Sequence, residues 1–126
     1  MGQFEKGVSL FSVQSLTQPR NASMSQVQVL AVITAKPGMR DQILAAYRDN
    51  VAAVHAEDGC IAYEAVVDVE GDTPFAKFGS DTFVVVEKWA SMAALQAHSV
   101  APHMKSYAAK TKEWTAERAI HVLKSA

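Results

Sequence analysis

The feature that most constrains the fold is a pair of segments that are apolar at successive positions, not only at alternate ones. Residues 29–33 read VLAVI and residues 83–86 read FVVV. Because side chains on a strand point alternately to two faces, such strands are apolar on both faces of their sheet. Helices on one face would leave the other face uncovered. We therefore expect a homodimer that buries the outer sheet faces against each other, with a monomeric two-layer domain as the alternative.

Hydrophobic periodicity and turn residues predict the element order β-α-β-β-α-β. The predicted strands are residues 27–35, 60–69, 82–89 and 118–124. The first predicted helix covers residues 40–57. The second begins after Ser91, is interrupted by Pro102 and continues to about residue 113. This order is the split βαβ arrangement, so the expected fold class is α+β, ferredoxin-like, with an antiparallel sheet.

Length and charge limit the organisation and the partners. A chain of 126 residues fits one domain, which we place at residues 26–126 after a flexible N-terminal extension at residues 1–25. The net charge of −1 gives no electrostatic reason to expect nucleic acid, and no apolar run is long enough to span a membrane. The single cysteine excludes an internal disulfide and fits a reducing compartment, so we expect a cytoplasmic protein.

Two histidines near a proline are the first candidates for chemistry. His98 and His103 are five residues apart, which on one unbroken helix would separate their directions by about 140°. Pro102 disfavours helix at Ala101, so both rings could still point into one cavity. A neutral imidazole accepts a proton near neutral pH, which suits a catalytic base. Structural or solvent-facing histidines are the alternative, and the spacing does not favour a metal site.

Three further side chains are candidates for substrate binding. Trp89 offers a flat apolar surface with one N–H donor, although a strand-end tryptophan is often a core residue. Glu87 shares a strand face with apolar residues and therefore needs a partner, which could be a histidine, a substrate or a basic side chain. Tyr63 on the second predicted strand could donate a hydrogen bond to a substrate oxygen, or it could simply pack.

The remaining reactive residues have structural explanations. Cys60 has no identifiable activating partner, so we expect an inert, buried thiol. His55 falls in the last turn of the first predicted helix, where the helix dipole favours a cation. We expect His121, on the last predicted strand, at the dimer interface. The sequence has no glycine-rich phosphate loop and no GxSxG motif, so nucleotide binding and serine hydrolysis have no support.

With these residues the chain resembles the antibiotic biosynthesis monooxygenase domain family, in particular its small quinol monooxygenase-like members. The resemblance runs from residue 27 to about residue 123, and its motifs are more specific for the domain than for one reaction. The landmarks are Lys36-Pro37-Gly38, Glu57-Asp58-Gly59-Cys60 with Tyr63, Glu87-Lys88-Trp89, His98, Pro102-His103-Met104 and Tyr107.

The resemblance implies a dimeric α/β barrel and the oxygenation of an electron-rich aromatic, such as a quinol or an anthrone, by O2. It implies no metal, flavin or other cofactor. His98 or His103 would be the base. The substrate-binding residues would be Trp89, Tyr63, Glu87 and Tyr107.

Other activities occur on the same domain. Haem-degrading relatives place an asparagine on the first strand, where this chain has Ala31, so haem degradation is disfavoured. Isomerases of small carbonyl compounds also resemble this chain and would use a His or a Glu for proton transfer. A non-catalytic dimer that binds a small molecule is the third alternative.

Overall fold

The computed structural model describes residues 25–126, so the predicted extension at residues 1–25 lies, apart from Ser25, outside the described residues. In this part of the chain there are four strands and three α-helices. The strands are β1 (Val27–Ala35), β2 (Cys60–Val66), β3 (Thr82–Trp89) and β4 (Thr115–Leu123). The helices are α1 (Arg40–His55), α2 (Met92–Ser99) and α3 (Pro102–Thr111), and a 3-10 turn (Lys112–Trp114) follows α3.

The four strands form one antiparallel sheet in the order β2-β3-β1-β4. This order confirms the predicted α+β, ferredoxin-like βαββαβ fold. Ser91 caps α2 as predicted, because its Oγ accepts a hydrogen bond from the backbone N–H of Ala94 at 3.1 Å. No helix within residues 25–126 is long and apolar enough to cross a bilayer.

Element boundaries differ from the predictions at several places, and three of them shift by two residues or more. Helix α1 ends at His55, two residues early, which leaves Glu57 in the following turn. Strand β2 ends at Val66 and not at residue 69, because the Asp68 carboxylate holds the loop by accepting backbone N–H groups of Phe78 and Gly79. Strand β4 begins three residues early, because the end of β1 offers it pairing partners as far as Thr115.

The core lies between the sheet and the helices. The largest side chains that are almost completely buried are Trp89, Phe83, Ile43, Val29 and Val54. They come from β1, β3 and α1, so the helix-facing positions of the central strands pack against α1. Burial of such side chains stabilises the fold by about 1.5–3 kcal/mol each.

The outer face of the sheet is apolar and partly exposed in a single chain. Leu30, Val66 and Val86 have 37–39% of their surface exposed to solvent, whereas Val29 on the helix face has 1% exposed. Val84, also on the outer face, is buried, and Phe78 from the loop after β2 lies beside it. Both faces of the central strands are therefore apolar, as the sequence predicts, and the helices of residues 25–126 cover one of them.

Candidate functional site

A cavity of about 740 Å³ lies between the helix-facing side of the sheet and helices α1, α2 and α3. Its lining is mostly apolar, with side chains such as Val29, Ala31 and Ile120 from the sheet and Leu95 from α2. An apolar pocket of this volume with a few polar groups is the usual form of a small-molecule site. The predicted site residues in the lining are His98, Glu87, Tyr63 and Tyr107.

One carboxylate joins the two predicted histidines. The Oε2 atom of Glu57 lies 2.9 Å from Nδ1 of His98 and 2.6 Å from Nε2 of His103, so the same oxygen accepts a hydrogen bond from each ring. Nδ1–H of His98 donates in this arrangement, which leaves Nε2 as the lone-pair nitrogen of the neutral ring. His98 is buried, so its free nitrogen is held in one orientation.

The turn that carries Glu57 is packed tightly against α2. Gly59 adopts φ 83°, and a Cβ atom placed there would come within 2.6 Å of the Cβ of Ala94. The carbonyl of Gly59 also accepts a hydrogen bond from the backbone N–H of Ala90 at 2.8 Å. A glycine at this position thus allows the Glu57 turn to approach the helix that carries His98.

The break before α3 brings His103 to the same carboxylate. Ala101 is extended, with ψ 143°, and Pro102 begins α3 at a position where its missing N–H is harmless. The predicted interruption of the helix therefore exists, and both imidazoles reach Glu57. The lining formed by residues 25–126 includes His98 but not His103, so the two histidines have different surroundings.

Glu87 is a buried carboxylate on the cavity wall. Its Oε1 atom accepts a hydrogen bond from the indole N–H of Trp89 at 2.9 Å and lies 4.0 Å from Nε2 of His98. Burial raises the pKa of Glu87 and nearby Glu57 adds to the rise, while the bond from Trp89 and an imidazolium at His98 oppose it. The partner that this carboxylate needs is thus the indole N–H.

Trp89 has no exposed surface and lies behind His98, with the two ring centroids 4.5 Å apart. Tyr63 presents its ring to His98 in an edge-on geometry at 5.6 Å and stacks on Tyr47 at 5.4 Å. Burial is the main reason that the pKa of Tyr63 is raised, so its phenol stays protonated and can donate. The aromatic rings therefore fix His98 from two sides.

Tyr107 lines the cavity farther along α3. Burial raises the pKa of Tyr107 to about 12, while the nearby charge of Arg118 opposes the rise. The phenol is thus a neutral hydrogen-bond donor at physiological pH.

The other reactive residues, His55 and Cys60, lie outside the cavity lining formed by residues 25–126. His55 is exposed, and its Nε2 lies 3.2 Å from the backbone carbonyl of Tyr63. Cys60 is half-buried, and burial, followed by the charges of Glu57 and Glu87, raises the pKa of its thiol. Within residues 25–126 no group of three His, Cys, Asp or Glu side chains has the arrangement of a metal site.

Glu57 is the site residue that sequence reasoning did not assign. It stands in the Glu57-Asp58-Gly59-Cys60 motif, which by its sequence indicates only the end of the first helix and a family landmark. The pattern that points to Glu57 is an acidic residue next to a glycine turn, since such a turn fixes the position of the carboxylate. Glu57 and His98 are 41 residues apart, so no local sequence pattern predicts their contact.

Comparison with known proteins supplies the context for this geometry. The family model described as "Antibiotic biosynthesis monooxygenase" matches residues 27–110. "Probable quinol monooxygenase YgiN" of Escherichia coli (strain K12) is 35% identical over 97 residues, which cover 75% of this chain and 93% of the relative.

Two solved structures share the fold. Rv0793 from Mycobacterium tuberculosis is 27% identical, with a TM-score of 0.67, and the match covers 81% of this chain and 96% of that one. PA3566 from Pseudomonas aeruginosa is 24% identical, with a TM-score of 0.69, and the match covers 84% and 99% of the two chains.

Proposed function

The chain belongs to the antibiotic biosynthesis monooxygenase family, and on that premise we propose that it oxygenates an electron-rich aromatic small molecule with O2. The substrate class is a quinol or an anthrone, and the reaction uses neither metal nor flavin. The observation that carries the proposal is the orientation of His98, because Glu57 holds its Nδ1 and leaves Nε2 free beside the cavity.

His98 is the base in this proposal. Its Nε2 removes a proton from a phenol or from the acidic carbon of an anthrone, and Glu57 stabilises the resulting imidazolium through the bond to Nδ1–H. His103 shares the Glu57 oxygen and acts as a positioning residue, since it lies outside the cavity lining. We assign Trp89 a supporting role behind His98 and not direct contact with the substrate.

The substrate itself supplies the electrons. A deprotonated polyphenol gives one electron to O2, and the two radicals then combine at a ring carbon. Cleavage of the O–O bond leaves one oxygen atom on that carbon, and the other departs as water. A quinol thus becomes a hydroxyquinone and an anthrone becomes an anthraquinone, in each case with one O2 consumed, one water formed and no external reductant.

The cavity suits such an intermediate. Its apolar walls exclude water from the reacting ring, and the neutral phenols of Tyr63 and Tyr107 can donate hydrogen bonds to the developing oxyanion. Glu87 lies near the base and would repel the substrate anion when ionised.

Oxygen uptake tests the proposal directly. The protein should consume one O2 per anthrone or reduced naphthoquinone, and His98→Ala should lower the rate by about 100-fold or more. His55→Gln is the matched control, because that imidazole is exposed and outside the lining. Uptake that is unchanged when both His98 and His103 are alanine would reject histidine as the base.

The 4.0 Å distance between Nε2 of His98 and Oε1 of Glu87 favours a second candidate, isomerisation of a small carbonyl compound. Two acid–base groups on one cavity wall can move a proton between neighbouring carbons without oxygen. Solvent deuterium exchange into a hydroxy-ketone, with no oxygen uptake, would support this activity. If neither reaction occurs and no small aromatic raises the melting temperature, a module without catalysis is favoured.

We also infer that the chain forms a homodimer through the outer sheet faces. The supporting observation is the partly exposed apolar surface of Leu30, Val66 and Val86 on strands that are apolar on both faces. Packing two such faces would remove this surface from water and give a closed two-sheet core.

A further inference from the structure

The cavity has a second polar region, distant from His98, that the proposed reaction does not use. Lys105, Lys112 and Arg118 all line the cavity, and the carboxylates that residues 25–126 contribute to the lining are Glu87 and Glu117. Glu117 pairs with Thr34 in register, so by strand alternation its side chain belongs to the outer face. The far part of the lining is therefore cationic.

The strand register gives the distance between the end of the cavity near His98 and its cationic end. Glu87 pairs with Val29 on one side of β1, and Arg118 pairs with Ile33 on the other side. Four residues along the strands and two strand spacings place the Cα atoms of Glu87 and Arg118 roughly 16 Å apart on the same face. Apolar side chains such as Ala31 and Ile120 fill the interval, so an apolar floor joins the two ends.

The three cations of the lining are exposed. Lys105 lies in the first turn of α3, so Lys112 and Arg118 form the cationic end of the cavity. Lys105 and Lys112 are seven residues apart, which puts them on the same side of the helical segment. Arg118 comes from β4, on the helix-facing side of the sheet, and its charge acts on the phenol of Tyr107 in α3. Lys110 of α3 forms an ion pair with Asp49. Neither of these two residues lines the cavity.

We propose that the cavity takes an aromatic substrate that carries an anionic group, a carboxylate, sulfonate or phosphate. Arg118 and Lys112 bind the anion at the open end, while the apolar floor holds the ring with its reacting carbon toward His98. This inference deepens the proposed function, because it names the substrate class of the same site. A guanidinium is suited to the role, since its fork of N–H donors matches an oxyanion.

Binding of a pair of unreactive probes tests the inference without any oxidation. Calorimetry should show that naphthalene-2-carboxylate binds about three- to tenfold more tightly than its neutral isostere naphthalene-2-carboxamide. Arg118→Gln combined with Lys112→Gln should remove this preference. Arg118→Lys should retain part of it, and raising the salt concentration should weaken it.

Lys110→Gln is the matched control, because it removes the same charge from α3 at a position outside the cavity lining. The preference for the carboxylate should persist in that variant. Equal affinities for the two probes, no binding of either probe, or a preference that survives the Arg118→Gln and Lys112→Gln double substitution would overturn the inference. The probes contain no oxidisable hydroxyl group, so this result is independent of whether the chain consumes oxygen.

Discussion

The Nδ1 atom of His98 lies 2.9 Å from Oε2 of Glu57, although 41 residues separate the two in the sequence. This contact joins the turn after α1 to α2 and fixes which nitrogen of His98 faces the cavity. A carboxylate that accepts Nδ1–H also keeps the imidazole in one orientation and one tautomer. His103 on the same oxygen holds Glu57 in place from α3.

Glu57→Gln should lower the rate of the proposed oxygenation by at least about tenfold while leaving the fold intact. The amide is neutral, so it does not stabilise the imidazolium as a carboxylate does. Its carbonyl oxygen can replace Oε2 and accept from both rings, whereas a rotated amide presents its NH2 group to them and changes the tautomer of His98. Oxygen uptake measures the rate, and nitrogen-15 NMR of the histidine rings reports the tautomer of His98, which a purely structural role would not alter.

Glu70→Gln provides the control, because Glu70 is an exposed carboxylate in the loop after β2. It should change neither the rate nor the ring spectra. A Glu57→Gln variant with the wild-type tautomer and full oxygen uptake would show that Glu57 does not position the base.

The sequence carried enough information for the sheet but not for the centre of the site. The bounds of β1 and β3 agree with the predicted ones, because β-branched runs bounded by turn residues are a local signal. The strand order followed from the βαββαβ pattern. The contact between Glu57 and His98 depends on how the turn at Gly59 packs against α2, which no local pattern contains.

Burial depth was also hard to predict. Alternation put Glu87 and Trp89 on one strand face, and the structure has them there. It could not show that the indole would be completely buried and would donate to Glu87, because depth depends on what α2 brings over the strand. The sequence also does not predict the cationic end of the cavity at Arg118, because this end forms only when β4 pairs with β1.

Gly59→Ala should destabilise the protein by about 2–4 kcal/mol. An alanine there must adopt a positive φ, and its Cβ would lie 2.6 Å from that of Ala94, so the Glu57 turn must move away from α2. Urea unfolding measures the change in the free energy of unfolding. Oxygen uptake should fall as well, because the same displacement moves Glu57 away from His98.

Gly71→Ala separates the backbone effect from the steric one. Gly71 has φ 89°, but nothing lies within 4 Å of its Cβ position, so only the positive φ costs energy, about 1–2 kcal/mol. Replacing Ala94 by Gly in the Gly59→Ala variant should restore part of the stability. Equal losses for Gly59→Ala and Gly71→Ala would mean that close packing against α2 is unimportant.

As the pH rises, the free energy of unfolding of Glu87→Gln should increase relative to that of the wild type. The folded pKa of Glu87 is raised above its ordinary value of 4.5, so between these two values the folded state holds a proton that the unfolded state has released. The contribution of Glu87 to wild-type stability therefore falls as the pH rises from about 4.5 through the raised pKa, and this loss is absent in the variant.

The amide oxygen that Glu87→Gln introduces can still accept a hydrogen bond from Trp89, so the comparison isolates the charge. Urea unfolding of both proteins at several pH values from about 4 to 8 gives the difference in free energy. His98 and Glu57, the ionisable neighbours that act on Glu87, are present in both proteins. A difference that stays constant over this range would show that Glu87 is not desolvated in the native state.

Leu30→Glu should convert the proposed dimer into a monomer. Leu30 pairs with Val86 at the centre of the outer sheet face, where a buried, unpaired carboxylate would be strongly unfavourable. Light scattering during size-exclusion chromatography should give twice the chain mass of 13.6 kDa for the wild type and one chain mass for the variant. Val100→Glu alters an apolar residue with 61% exposure outside the sheet and should leave the dimer intact. A wild-type protein that elutes as one chain at micromolar concentration would contradict the dimer.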